Sequence, residues 1–148
     1  MTPDEKAVEL GVDLAGYQPI PNLAPAMRVG NTIYTSGHVS TGYQGKLGRE
    51  YTTNIGQTAA RVCAVQLLQA VYTVTHTLNT VRCIKLLGAV NSTPDFTEQH
   101  LVINGASQLI WDILGKEGRG YHARSALGFV SLPNGFAVEI EAIFEVIE

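Results

Sequence analysis

Residues 122–146 read HARSALGFVSLPNGFAVEIEAIFEV, and this stretch decides the fold. Two apolar segments flank the PNG sequence at 133–135, which is typical of a turn. The pattern predicts a β-hairpin, and alternation along its second strand puts Glu139 and Glu141 on one face. Arg124 stands at the head of the first strand. A permanent cation at the start of an apolar strand calls for a functional or a structural explanation.

Upstream of this hairpin, hydrophobic periodicity and turn residues predict three helices and three further strands. The first predicted elements are a short helix over PDEKAVEL (3–10) and two strands, AMRV (26–29) and TIYTSG (32–37), joined at Gly30-Asn31. A glycine-rich surface loop over 38–50, which could act as a lid, leads to a helix from Thr53 to about Val74 that is capped by Thr53 or Asn54. A strand over VRCIKLLGAVNS (81–92) follows, and then a helix that Ser92-Thr93-Pro94-Asp95 begins and Gly115 ends.

This order of elements predicts an α+β domain in which two long helices pack on one face of a mixed sheet. The opposite face is then left open. Alternation places Leu127, Phe129, Ile143 and Ile147 on that open face, because their neighbours in sequence point toward the helices. An apolar open face needs a cover, and a second subunit is the simplest one.

Composition narrows the class of protein further. A chain of 148 residues fits one domain, 1–148. Its net charge of −3, with no run of basic residues, argues against nucleic acid as a partner. The two cysteines, Cys63 and Cys83, lie in apolar segments, which predicts buried, reduced thiols. The sequence has no apolar run long enough to span a membrane, so a soluble cytoplasmic protein is expected.

The four histidines, His38, His76, His100 and His122, are scattered and lack metal-ligand spacing. We therefore expect no metal site. His38 and His122 are interpreted as surface-loop residues.

Five motifs in order resemble the Rid (reactive intermediate deaminase) or YjgF family. They are GNTIYTSG at 30–37, Asn104, ARS at 123–125, SLP at 131–133 and VEIEAIFEV at 138–146. The resemblance runs from about Asn22 to Ile147, with residues 1–16 forming an N-terminal helix extension that suits a longer-chain branch. It implies a chorismate-mutase-like (YjgF-like) fold, a homotrimer, and a ligand cleft at each subunit boundary.

The resemblance also implies roles for individual residues. Arg124 matches the arginine that grips a substrate carboxylate, and Glu139 matches the acid that handles water. Ser36, Gly37 and Asn104 match further ligand-binding positions in the cleft.

Two cleft positions depart from the family pattern. Leu23 stands where deaminating members usually carry an aromatic residue, which bears on the identity of the substrate. Ala126 replaces a frequent cysteine, so chemistry that needs a thiol at that position is removed.

The implied reaction is cofactor-free hydrolysis of a 2-imino or 2-enamino acid to a 2-keto acid and ammonia. A guanidinium binds a carboxylate through two parallel hydrogen bonds, which lysine cannot reproduce. The alternative is a purely structural role, in which Arg124 holds the strand end through an ion pair with Glu139 or Glu117. Glu141 is interpreted as a solvated residue.

Two other functions stay open. A non-catalytic trimer that binds small carboxylates is suggested by Leu23. An endoribonuclease using His122 and Glu139 as acid and base is conceivable, but the lack of a basic stripe argues against it.

Overall fold

A computed structural model describes residues 1–147 as three helices and one mixed sheet. The strand order is β1-β2-β6-β4-β5, and the short β3 pairs with β6. The elements are α1 (Pro3–Glu9), β1 (Ala26–Val29), β2 (Thr32–Thr35), β3 (His38–Val39), α2 (Thr53–Thr75), β4 (Val81–Asn91), α3 (Gln99–Leu114), a π-helical turn (Gly115–Arg119), β5 (Ala123–Phe129), a 3-10 turn (Pro133–Gly135) and β6 (Val138–Val146).

The core lies between the sheet and the two long helices. Buried positions of α2 recur at helical spacing and include Ala60, Cys63, Leu67 and Val71. They pack against the helix-facing residues of the central strands in one continuous hydrophobic cluster. The predicted α+β class, with two long helices on one face of a mixed sheet, is therefore confirmed.

The predicted hairpin over 122–146 is wrong, although both of its strands exist. β4 lies between them, pairing in parallel with β5 and antiparallel with β6. Adjacency in sequence suggested a hairpin, but the long β4 supplies two full edges for pairing. β5 is consequently an edge strand, and the stretch after it crosses over β4 to reach β6.

Two predicted helix starts are also displaced. The cap of α2 is Thr52, whose hydroxyl accepts the Ile55 N–H at 3.5 Å, so neither Thr53 nor Asn54 is the cap. The helix predicted from Ser92 begins at Gln99. The buried Ser92 hydroxyl donates to the Val90 carbonyl, and its N–H donates to Phe129, so Ser92 continues the sheet and cannot cap a helix.

The stretch over 38–50 is more ordered than the predicted surface loop. His38, Ser40 and Leu47 are buried, and His38 and Val39 form β3. The Leu47 N–H donates to the Asn91 carbonyl at 2.9 Å and ties the stretch to the end of β4. Thr41 and Gly42, and the far end of the stretch over 48–50, are exposed.

The sheet face away from the helices carries apolar side chains, as predicted. Leu127 is 48% exposed and Phe129 is 41% exposed, while Ile143 is half-buried. The register adds two residues that the sequence pattern did not single out, because Met27 pairs with Tyr34 and Tyr34 pairs with Ile143. Ile147 lies just beyond β6 and is half-buried.

Both cysteines are free and buried, as predicted. Burial raises the pKa of Cys63 far above its ordinary value and that of Cys83 to about 12. Within residues 1–147, no helix combines the length and apolar character that a membrane crossing requires.

Candidate functional site

Arg124 lies on the helix side of the edge strand β5. It is level with Leu86 of β4, whose side chain is buried beneath the helices. Its guanidinium reaches α3, where Nη1 donates to the Ser107 hydroxyl at 3.0 Å and Nη2 donates to the His100 carbonyl at 3.1 Å. Burial lowers the pKa of Arg124 from its ordinary value. The arginine is thus held in place by two neutral acceptors.

The ion pair that would make Arg124 a simple structural strut does not form. Among residues 1–147 the salt bridges are Lys6–Glu9 and Arg49–Glu50, and neither Glu117 nor Glu139 reaches the guanidinium. A guanidinium carries five N–H groups, so several remain available after the two bonds to α3. A half-buried cation without an acidic partner is suited to receive an anionic ligand.

Glu139 occupies a different region of the molecule. It lies on the open face of β6, paired with Val39 of β3 and Ala89 of β4. Its carboxylate packs directly on Gly37, where an added Cβ would lie 2.1 Å from Oε2. Burial, and then the negative charge of Glu141, raise the pKa of Glu139 above its usual value. A carboxyl group with a raised pKa is a better proton acceptor than an ordinary surface glutamate.

Hydrogen bonds hold the backbone next to Glu139. The Ser36 hydroxyl donates to the Ala24 carbonyl at 2.5 Å, and the Ser36 carbonyl accepts from His38 Nδ1 at 2.8 Å. His38 Nε2 lies 2.8 Å from the Tyr17 hydroxyl. The Ser36 carbonyl can only accept, so Nδ1 carries the hydrogen of the neutral ring. Nε2 therefore accepts from the Tyr17 hydroxyl. The interpretation of His38 as a surface residue is therefore wrong, since its side chain is fully buried.

The predicted site residues fall into two groups, which we call the arginine half-site and the glutamate half-site. The arginine half-site contains Arg124 and Ala126, both on the helix side of β5. The glutamate half-site contains Ser36, Gly37 and Glu139.

Sheet geometry separates the two half-sites within one chain. Arg124 and Glu139 lie on opposite faces, with β4 between their strands. Two strand spacings amount to about 10 Å across the sheet, and the three-residue offset in register adds about 10 Å along it. The two side chains cannot contact the same small molecule within one chain.

The other two predicted positions lie beside these half-sites. Leu23 is half-buried and directly precedes Ala24, so it belongs with the glutamate half-site. Asn104 lies on α3 in a polar groove of about 460 Å³ that also contains Gln57, Arg61 and Gln108. No hydrogen bond joins Asn104 to Arg124 in the described part of the chain.

Two further residues belong to the arginine half-site: Ser107, which the sequence analysis did not single out, and His122, which it considered only as a ribonuclease acid or base. Ser107 is fully buried in α3, and its hydroxyl lies between Arg124 and His122. His122 is half-buried rather than free on the surface, and burial lowers its pKa. A serine on the buried stripe of a helix was the available clue, because a buried hydroxyl requires a partner.

Histidine, cysteine and acidic side chains do not assemble into a group of three that could hold a metal ion anywhere in residues 1–147.

Comparisons with known proteins agree with this fold. The model of the endoribonuclease L-PSP family matches residues 15–146. Protein TCP17 of Trypanosoma cruzi is 40% identical over 143 residues, covering 92% of this chain and 89% of that protein.

Two solved structures extend the comparison. A candidate endoribonuclease of Shewanella oneidensis superposes with a TM-score of 0.91 at 25% identity, covering 99% of this chain and 100% of that one. Escherichia coli TdcF, solved with bound serine, is 21% identical with a TM-score of 0.59, covering 91% of this chain and 95% of its own, and shows a likeness of fold. This chain therefore belongs to the endoribonuclease L-PSP family, which is the Rid or YjgF family.

Proposed function

We propose that the chain assembles as a homotrimer and hydrolyses reactive 2-imino or 2-enamino acids to 2-keto acids and ammonia in clefts between subunits. The observation that carries the proposal is the half-buried Arg124, which has neutral partners on α3 and no carboxylate partner among residues 1–147. The bound serine of TdcF supports a small carboxylate as the ligand, because serine also carries a carboxylate group.

The separation of the half-sites supports a cleft between subunits. Arg124 lies on an edge strand and Glu139 on the open sheet face, so both are available to a neighbouring copy. The exposed Met27, Tyr34, Leu127 and Phe129 give that face an apolar surface for a neighbour to cover. In such an assembly the arginine half-site of one subunit meets the glutamate half-site of the next.

The chemistry assigned to the cleft is modest. Arg124 holds the carboxylate in two parallel hydrogen bonds and so fixes the imine carbon. Glu139 orients a water molecule, takes a proton from it as the oxygen attacks that carbon, and passes this proton to the imine nitrogen. Transfer of the remaining hydroxyl proton to the same nitrogen breaks the carbon–nitrogen bond, which releases ammonia and leaves the 2-keto acid. Imines hydrolyse quickly even in water, so positioning and proton transfer suffice, and no cofactor is needed. Two free thiols suit a reducing cytoplasm.

The decisive experiment generates the substrate in place. A dehydratase acting on threonine or serine releases an enamine, and the rate of keto-acid appearance is followed with and without this protein. We expect faster keto-acid release with the parent and no acceleration with Glu139→Gln. An unchanged rate with the parent, together with tight calorimetric binding of 2-ketobutyrate, would instead support a non-catalytic carboxylate-binding protein.

The family description also keeps ribonuclease activity as a second candidate. His122 and Glu139 would have to come from different subunits for this reaction, because His122 contacts α3 on the helix side of the sheet. Incubation with labelled single-stranded RNA tests it. Cleavage by the parent that persists at high salt and is lost in both His122→Gln and Glu139→Gln would favour this candidate.

A further inference from the structure

We infer that Ser107 and His122 are positioning residues that fix the Arg124 guanidinium in its orientation for the ligand carboxylate. The inference rests on the proposed role of Arg124. It is carried by one chain of hydrogen bonds that runs from the Gly120 carbonyl through His122 and Ser107 to Arg124.

The direction of each bond in this chain can be assigned. His122 Nδ1 lies 2.5 Å from the Gly120 carbonyl, which can only accept, so Nδ1 carries the hydrogen. In the neutral imidazole Nε2 is then an acceptor, and the Ser107 hydroxyl donates to it across 2.9 Å. The serine hydrogen therefore points away from Arg124. Its oxygen lone pairs are left to accept from Nη1 at 3.0 Å.

The surroundings of His122 favour this neutral, oriented form. Burial lowers its pKa, the positive charge of Arg124 lowers it as well, and the bond to Gly120 opposes both. The Trp111 ring stacks beside the imidazole, with centroids 6.0 Å apart and planes 29° apart. The Lys116 Nζ lies over the Trp111 ring, 4.8 Å from the ring centroid.

Orientation matters here because an arginine fork binds a carboxylate well in one plane. Nη1 and Nη2 are anchored to two points of α3, Ser107 and the His100 carbonyl, so the guanidinium cannot rotate freely. Losing the Ser107 oxygen removes one anchor and lets the fork turn out of the plane it needs. A free serine hydroxyl would place its hydrogen toward Arg124 part of the time, and His122 prevents this.

The test measures binding of 2-ketobutyrate by calorimetry in single and double variants. Ser107→Ala should raise Kd about tenfold, the effect of losing a hydrogen bond to a charged group. His122→Leu should behave similarly, whereas His122→Gln, which keeps an acceptor near Ser107, should restore most of the affinity. Thr73→Ala on α2, whose hydroxyl bonds within its own helix, is the matched control and should bind like the parent.

A double-variant cycle separates positioning from a general structural role. Adding Ser107→Ala to Arg124→Ala should cost no further affinity at millimolar ligand, because no guanidinium is left to position. If Ser107→Ala weakens binding equally in both backgrounds, or leaves the parent affinity unchanged, the inference is wrong. Should Ser107→Ala fail to fold, the contrast between His122→Leu and His122→Gln decides it. Unchanged binding in Arg124→Ala alone would overturn the proposed function instead.

Discussion

The two half-sites are built in different ways. Arg124 is oriented by a helix on the covered side of the sheet, through the Ser107 hydroxyl and the His100 backbone carbonyl. Glu139 stands on the open side, against the Cβ-free surface of Gly37. The comparison teaches that each chain prepares a rigid cation and a partly desolvated acid separately. Neither half-site is complete by itself, so the proposed chemistry depends on how two copies meet.

Removing the cation should have the largest effect on ligand binding. Arg124→Ala should weaken 2-ketobutyrate binding more than about 100-fold, because two charged hydrogen bonds are lost. Arg124→Lys should weaken it about tenfold to 100-fold, since the charge stays and the fork does not. Calorimetric titration measures both. Melting temperatures should stay close to that of the parent. A much lower melting temperature with unchanged binding would make Arg124 a structural strut.

Mixing two inactive variants tests whether the half-sites come from different chains. Arg124→Ala and Glu139→Gln, co-expressed in equal amounts, should recover about a quarter of parental keto-acid release, since random assembly leaves one cleft in four intact. The control co-expresses Arg124→Ala with a chain that carries both Arg124→Ala and Glu139→Gln. This mixture should recover no activity, because neither chain supplies the arginine. Activity no higher than that of either variant alone would contradict a cleft shared between chains.

A substitution that displaces the Glu139 carboxylate should affect turnover more than ligand binding. In Gly37→Ala the new Cβ would lie 2.1 Å from Glu139 Oε2, so the carboxylate must move. We expect about a tenfold lower kcat with a nearly unchanged Kd for 2-ketobutyrate. Gly118→Ala serves as the control because its Cβ would meet nothing within 4 Å. Equal losses of ligand binding and turnover in Gly37→Ala would instead show that Gly37 contacts the carboxylate of the ligand.

The smallest expected effect concerns stability. Burial and Glu141 raise the pKa of Glu139 in the folded protein, so folding favours the protonated form. The stabilising contribution of that form is present at low pH and is lost as pH rises through the folded pKa. Glu139→Gln should therefore melt at a higher temperature than the parent at pH 7. The difference should vanish near pH 4. A lower melting temperature for the variant at pH 7 would show that the charged carboxylate stabilises the chain.

Local patterns in the sequence predicted the parts of the fold that local forces specify. The β1–β2 hairpin around Gly30 and the body of α2 follow from turn chemistry and helical spacing. The supposed hairpin of β5 and β6 was wrong because the placement of β4 between them depends on pairings distant in sequence. Motifs singled out Arg124 and Glu139 as candidate site residues, but they did not predict that the two lie on opposite faces of the sheet. The Ser107–His122 contact is set by the docking of α3 on β5, which no short motif encodes.

The position of β6 within the sheet has a consequence for how the chain is made. This strand pairs with β2, β3 and β4, and it is synthesised after every one of them. Before it emerges from the ribosome, the β1–β2 hairpin and the β4–β5 pair have no strand to join them. The nascent chain therefore carries two separate sheet fragments with unpaired edges, and they join into one sheet only after β6 has been synthesised.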